Sequence, residues 1–190
     1  MGSLATSVRI DAPKERVWEV LADLGSIYRW NPGIAHSHTT SDEATGENAM
    51  RQCDLPDGGF LRERAFNWSE GEGFTIEVYE TSLPLKESFV DFRATPEGEA
   101  TVVNLKMDYK LKFGPVGALM DAAFAGRQTR NGMAELLAGL KDYVETGKQA
   151  NPSPAEAEAA AARRVSSGRR LSTPAYLTVS VALMSGWIVQ

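Results

Sequence analysis

The chain has 190 residues, of which 43% are hydrophobic and 24% charged, and its formal net charge is −5. This composition suits one domain of about 150 residues with an appendage, and the mildly acidic balance argues against a nucleic-acid partner. The single cysteine, Cys53, excludes an internal disulfide and a zinc site of several cysteines. The first residues contain no apolar stretch of signal-peptide length, so we expect a cytoplasmic protein.

A strand and two short helices are predicted first. Residues 4–10 are short and rich in β-forming residues, and Pro13 suits the first position of a helix. The apolar residues that follow recur at helical spacing, namely Val17, Trp18, Leu21 and Leu24. Gly25 ends this helix, and residues 27–30 predict a second short helix that stops at Asn31-Pro32-Gly33.

Six further strands are predicted between turn signals rich in Gly, Pro and Asp. They are residues 34–41, 48–55, 60–69, 74–82, 87–95 and 101–113. The last strand has the clearest period of two, because Val103, Leu105, Met107 and Tyr109 alternate with polar residues. That period predicts one buried and one wet face.

A long C-terminal helix follows Gly114-Pro115, with helical apolar spacing from Val116 to Val144 and a stop near Gly147. It contains Gly126, Gly132 and Gly139, each costing about 1 kcal/mol relative to alanine. Close packing against the sheet, or room for a ligand, would explain them, although long helices also tolerate a few glycines. The element order predicts an α+β fold, with a curved antiparallel sheet of about seven strands wrapped around this helix. One helix leaves a void on a wide concave face, where small ligands bind.

Three segments resemble the START-like superfamily, which has the helix-grip fold: residues 7–13, residues 17–23 and Trp30-Asn31-Pro32. The branch they resemble is the polyketide cyclase/dehydrase and lipid-transport family, which includes birch-pollen-allergen-like proteins. The resemblance implies a ligand-binding domain over residues 1–148. It leaves the function open, because members include lipid carriers, hormone receptors and aromatase/cyclases.

Arg62 and Arg64 share one face of the strand 60–69 with Phe60, Phe66 and Trp68. These apolar neighbours favour an inward direction, and arginines in an apolar cavity could anchor a carboxylate, an enolate or a polyketide oxygen. The alternative is that both arginines lie on the outer, wet face. They would then pair with Glu77 or Glu80 across the strands.

A narrower similarity links residues 61–64 and 75–77 to lachrymatory-factor-synthase-like plant proteins. It implies that Arg64 and Glu77 act on a sulfenic acid as catalytic residues. The alternation of the strand 74–82 bears on this role: if Phe74, Ile76 and Val78 face inward, Glu77 faces water.

Four more residues complete the predicted ligand-binding set, which comprises Trp30, Arg62, Arg64, Phe66, Tyr109, Phe124 and Arg127. The resemblance implies that Trp30 lines the cavity mouth, although packing in the core is the ordinary role of a tryptophan. His36 and His38 lie at i and i+2 on one strand face and could reach a single metal. The sequence shows no third or fourth ligand, so neither a metal nor a cofactor is predicted.

The chain changes composition from residue 149. Residues 151–154 predict a linker, an alanine-rich and arginine-rich segment follows, and residues 175–189 are mostly apolar. We expect residues 149–190 to be poorly ordered. The apolar end is short for a membrane span, which needs about 20 residues, but it could form a shallow membrane contact.

Three functions follow. The first is binding or transport of a small hydrophobic ligand of lipid, polyketide or aromatic type in an internal cavity. The second is a cyclase, dehydratase or isomerase acting on such a molecule, so the sequence does not decide whether the protein is an enzyme. The third is a structural or interaction protein with a filled core and no cavity. Convergence of two or more ionisable side chains inside the cavity would favour the enzyme.

Overall fold

The computed structural model describes residues 2–112 and 126–153, and residues 155, 156, 159 and 163 of the tail. The chain divides into a first unit, Met1–Pro154, and a second unit, Ala155–Gln190. The four described tail residues are helical. The predicted helix start at Val116 and the apolar stretch 175–189 lie outside the described residues. In the described part of the chain, no helix combines the length and apolarity that a membrane crossing requires.

Seven strands form one curved antiparallel sheet. They are β1 (Gly2–Ile10), β2 (His36–Thr39), β3 (Met50–Asp54), β4 (Phe60–Ser69), β5 (Gly73–Thr81), β6 (Leu85–Glu97) and β7 (Ala100–Leu111). Their spatial order is β1-β7-β6-β5-β4-β3-β2, so the prediction of about seven antiparallel strands is confirmed. The tight turn between β6 and β7 contains Gly98, whose φ of 64° lies in the left-handed region that glycine adopts without strain.

The helices agree in part with the prediction. Helix α1 (Lys14–Ala22) follows β1, but the second short helix is a 3₁₀ helix, Leu24–Arg29, and not an α-helix. The segment is short, and the Pro32 ring disfavours helical conformation at Asn31. Helix α2 (Gly126–Thr146) ends where expected, because Gly147 has φ of 72° and its N–H donates to the Tyr143 carbonyl at 2.9 Å.

One face of the sheet carries the core, and we call it the inner face. Its buried side chains belong to one cluster with the apolar faces of α1 and α2. The sheet contributes Ile10, Cys53, Ala65, Phe74, Ile76, Phe92, Ala94, Val103 and Leu105, and α2 contributes Met133, Leu137, Leu140 and Val144. The predicted buried face of the last strand is confirmed.

The C-terminal half of α2 packs closely on the loop after the 3₁₀ helix. A Cβ atom added at Gly139 would lie only 2.0 Å from the Trp30 carbonyl oxygen, whereas one at Gly132 would meet nothing within 4 Å. Close packing therefore explains Gly139, although its partner is this loop and not the sheet. Beyond the helix, the Asn151 Nδ2 donates to the Ile34 carbonyl at 2.9 Å, which ties the end of the first unit to the same loop.

Candidate ligand-binding face

Among the half-buried apolar side chains of the inner face, three form one row across three neighbouring strands. The strand register places Val90 of β6 opposite Met107 of β7, and Met107 opposite Leu4 of β1. All three pack at the margin of the core cluster. In the neighbouring row, Phe92 and Leu105 are fully buried. The row Leu4, Met107 and Val90 is therefore accessible apolar surface on the concave side of the sheet, and we call it the apolar row.

A buried polar row borders the apolar row. Ser88 lies opposite Tyr109, and Tyr109 lies opposite Gly2. Ser88 is 1% exposed, and its Oγ has no hydrogen-bond partner among the residues that the structure describes. A buried hydroxyl left unpaired costs about 1–3 kcal/mol. A bound molecule that offers a polar atom here would recover that cost.

Trp30 is the second buried side chain with an unpaired polar atom. It is 2% exposed and belongs to the core, and its indole Nε1 finds no acceptor in residues 2–112 and 126–153. Burial agrees with the core packing expected for this residue. An unpaired N–H also offers a hydrogen bond to a ligand or to water, because most buried donors in proteins are satisfied.

A charged cluster occupies the other end of the inner face. Arg51 Nε donates to Glu63 Oε2 at 2.5 Å, Arg51 Nη1 donates to the Leu24 carbonyl at 3.1 Å, and the Cys53 thiol lies 3.5 Å from the same carboxylate oxygen. Burial is the largest single influence and lowers the pKa of Arg51, but the neighbouring Glu63 and Cys53 groups together outweigh it, so the pKa is raised. Burial, followed by the charge of Glu63, raises the pKa of Cys53. The cluster holds a protonated arginine and a neutral thiol in the core.

Arg62, Arg64 and Phe66 lie on the outer face of the sheet, so the inward direction favoured by the sequence is wrong. Arg62 Nη1 donates to Glu80 at 2.6 Å, and Arg64 Nη2 donates to Glu77 at 2.5 Å. Both arginine side chains are more than two-fifths exposed. The alternative surface pairs are the ones that form.

The error has a physical cause in the irregularity of β4. Phe66 covers apolar surface on the outer face by packing edge-on to Phe89, with ring centroids 6.1 Å apart. Asn67 has a φ of 52° beside a shift of the β4–β5 register, and Trp68 then stacks on core residue Phe74 at 4.9 Å. Phe66 and Trp68 thus share sequence parity without sharing a face.

The remaining predicted site residues are dispersed. Phe74 and Ile76 of β5 face the core, so Glu77 lies on the outer face with Arg64. Tyr109 is buried on the inner face, whereas Arg127 of α2 is exposed. Phe124 lies outside the described residues. Of the predicted site residues that the structure describes, only Tyr109 and Trp30 are buried in the interior.

Sequence reasoning missed Ser88, Arg51 and Glu63. Arg51 shares strand parity with Ala49 and Cys53, and Glu63 shares it with Leu61 and Ala65, which is a weak signal of an inner face. Ser88 shares strand parity with Val90 and Phe92, which is the same weak signal, but its unpaired hydroxyl leaves no trace in the sequence.

A family model described as "Polyketide cyclase / dehydrase and lipid transport" matches residues 1–145. A comparison with curated proteins finds no match. Among solved structures, a protein from Thermus thermophilus has a TM-score of 0.65 at 20% identity, covering 75% of this chain and 97% of its own. A START superfamily protein from Mycobacterium smegmatis gives 0.62 at 18% identity, with coverage of 75% and 97%.

A third similar structure comes from a protein with two domains. It is the di-domain ARO/CYC protein BexL from the BE-7585A biosynthetic pathway, with a TM-score of 0.63 at 17% identity. The match covers 76% of this chain and 47% of BexL. At these identities, the solved structures establish the fold of the first unit.

Proposed function

Because the chain belongs to the polyketide cyclase/dehydrase and lipid transport family, we propose that it binds a small hydrophobic molecule of lipid, polyketide or aromatic type. The binding surface is the inner face of the sheet. Binding or transport is the activity, and no catalytic step is required for it.

The observation that carries this proposal is the apolar row beside an unpaired buried hydroxyl. Leu4, Val90 and Met107 are half-buried and offer a hydrophobic contact. Covering apolar area stabilises a complex by about 25 cal/mol per Å² before ordering costs are subtracted. Ser88 Oγ lies in the next row and supplies one hydrogen bond that would fix the orientation of an oxygen-bearing ligand.

A matched pair of tryptophan variants tests the location. Val90→Trp fills the apolar row, whereas Val102→Trp places the same side chain on the outer face of β7, opposite the exposed residues Arg9 and Thr95. Displacement of a fluorescent fatty acid by unlabelled lipids and aromatic polyketides measures affinity. We expect Val90→Trp to weaken binding about tenfold or more, with Val102→Trp near the parent. Equal affinities in both variants would remove the inner face from the site.

A cyclase or dehydratase is the second candidate, and one observation favours it. Arg51 and Glu63 place two ionisable groups together on the inner face. They are paired with each other, as in a structural ion pair. Replacing both with methionine removes the charges together and avoids leaving one of them buried alone. A carrier would retain the same molecule in parent and double variant, whereas an enzyme would retain unconverted substrate only in the variant.

A further inference from the structure

Three potential metal ligands meet on the outer face at the edge of the sheet. His36 and His38 belong to the edge strand β2, and Asp54 of β3 lies directly opposite His36 in the strand register. The ligand atoms of the three side chains all lie within 4.8 Å of one another. Strand pairing thus supplies the third ligand that the sequence alone does not reveal.

The geometry fits a small divalent ion. His36 Nδ1 and Asp54 Oδ2 are 3.5 Å apart. A tetrahedral ion with bonds of about 2.0–2.1 Å holds its ligand atoms about 3.3 Å apart. The His36 and His38 rings stack with centroids 5.8 Å apart, so the two imidazoles lie side by side on the same strand face. The three ligand atoms lie within 4.8 Å of one another, so side-chain rotations that shorten the longest separation to about 3.3 Å would bring them onto one ion.

A chain of hydrogen bonds orients the carboxylate. Gln52 Nε2 donates to Asp54 Oδ1 at 3.0 Å, and Arg62 Nε donates to Gln52 Oε1 at 3.2 Å. The second oxygen of Asp54 is the one that faces His36. Residues that hydrogen-bond to a metal ligand in this way fix the orientation of that ligand. Arg62 itself is neutralised by Glu80.

We propose that His36, His38 and Asp54 bind one divalent transition-metal ion, with zinc as the test ion. Two imidazoles and a carboxylate match the ligand preference of zinc, nickel and copper. His38 is exposed on the edge strand, so an ion reaches the site from solvent and keeps at least one position for water. The site lies on the outer face and is separate from the proposed ligand-binding face.

Zinc titration of the untagged, chelator-treated full chain tests the site, with heat and histidine ring resonances as the two signals. The chain contains only these two histidines, so both resonances report on the site. We expect one zinc per chain and a shift of both rings at one equivalent. His38→Ala and Asp54→Asn should each weaken binding about tenfold or more.

Asp108→Asn is the matched control, because Asp108 is a partly exposed strand carboxylate paired with Lys106 far from the histidines in the strand order. It should bind zinc like the parent. His38→Gln keeps a polar side chain of similar size but lacks the imidazole. Weaker zinc binding by this variant as well would show that the loss in His38→Ala comes from the missing ligand and not from altered folding. Absence of saturable one-to-one binding, or equal binding by Asp54→Asn and Asp108→Asn, would overturn the proposal.

Discussion

Arg51 Nε donates to Glu63 Oε2 at 2.5 Å, and the two side chains are only 4% and 8% exposed. Arg64 and Glu77 form a pair of the same length on the opposite face, but their side chains are 47% and 25% exposed. Two ion pairs of the same residue types, each with one member on β4, therefore sit in opposite surroundings. Their energetic roles should differ accordingly.

Removing one charge from each pair measures this difference. Glu63→Gln should destabilise the first unit by about 3–5 kcal/mol, because the guanidinium of Arg51 stays buried without a counter-charge. Glu77→Gln should cost about 0–1 kcal/mol, because water solvates Arg64. Urea unfolding followed by tryptophan fluorescence gives both values. Losses of equal size would contradict the assignment of inner and outer faces.

Two glycines of α2 give a second matched test. Gly132→Ala should stabilise the protein by up to about 1 kcal/mol, because alanine favours a helix and its methyl group meets nothing within 4 Å. Gly139→Ala should instead destabilise it by about 1–3 kcal/mol, since the new Cβ collides with the Trp30 carbonyl. Thermal unfolding of both variants measures these two stability changes. Stabilisation by both would show that α2 does not pack on this loop.

Glu70 predicts a pH-dependent contribution to stability. Hydrogen bonds from the Trp68 and Trp18 indoles, at 2.9 Å and 2.7 Å, lower the pKa of its carboxyl below the ordinary value of 4.5. A carboxyl whose pKa is lower in the folded state stabilises the protein at pH values above its ordinary pKa. This contribution disappears as the pH falls through the folded-state pKa.

The measurement is the melting temperature of the parent and Glu70→Gln between pH 7 and pH 3. The parent should melt higher at neutral pH, and the gap should close in acid. Glu99→Gln, at an exposed position of the β6–β7 turn, should leave the parent curve unchanged throughout. A gap that stays constant with pH would show that the Glu70 charge contributes nothing.

Cys53 should be unreactive in the folded protein. Its thiol is buried, and burial together with the charge of Glu63 raises its pKa, so little thiolate forms at neutral pH. Labelling with a disulfide reagent should be slow in buffer and fast in urea. Because the chain has one cysteine, every label reports on this residue. Rapid labelling in buffer would mean that the inner face near β3 is open to solvent.

Regular alternation of apolar and polar residues predicted the strands of the sheet. The site residues were not predicted, because they lie where this alternation is interrupted or where two strands must pair. The alternation around Val103 and Leu105 marks a buried face correctly, because β7 is regular and pairs with a strand on each side. On β4, the aromatic residues Phe66 and Trp68 pointed to one face, but Asn67 breaks the alternation between them. Neither the unpaired hydroxyl of Ser88 nor the approach of Asp54 to His36 is encoded locally, because each depends on the packing and register of neighbouring strands.

We propose that the inner face of the first unit holds a small hydrophobic molecule. Native mass spectrometry of the full chain, purified from the organism that makes it, tests this most directly. We predict a retained noncovalent ligand that is lost in Val90→Trp and kept in Val102→Trp. Bare protein in every preparation, with no displacement of a fluorescent fatty acid by lipids or polyphenols, would contradict the claim.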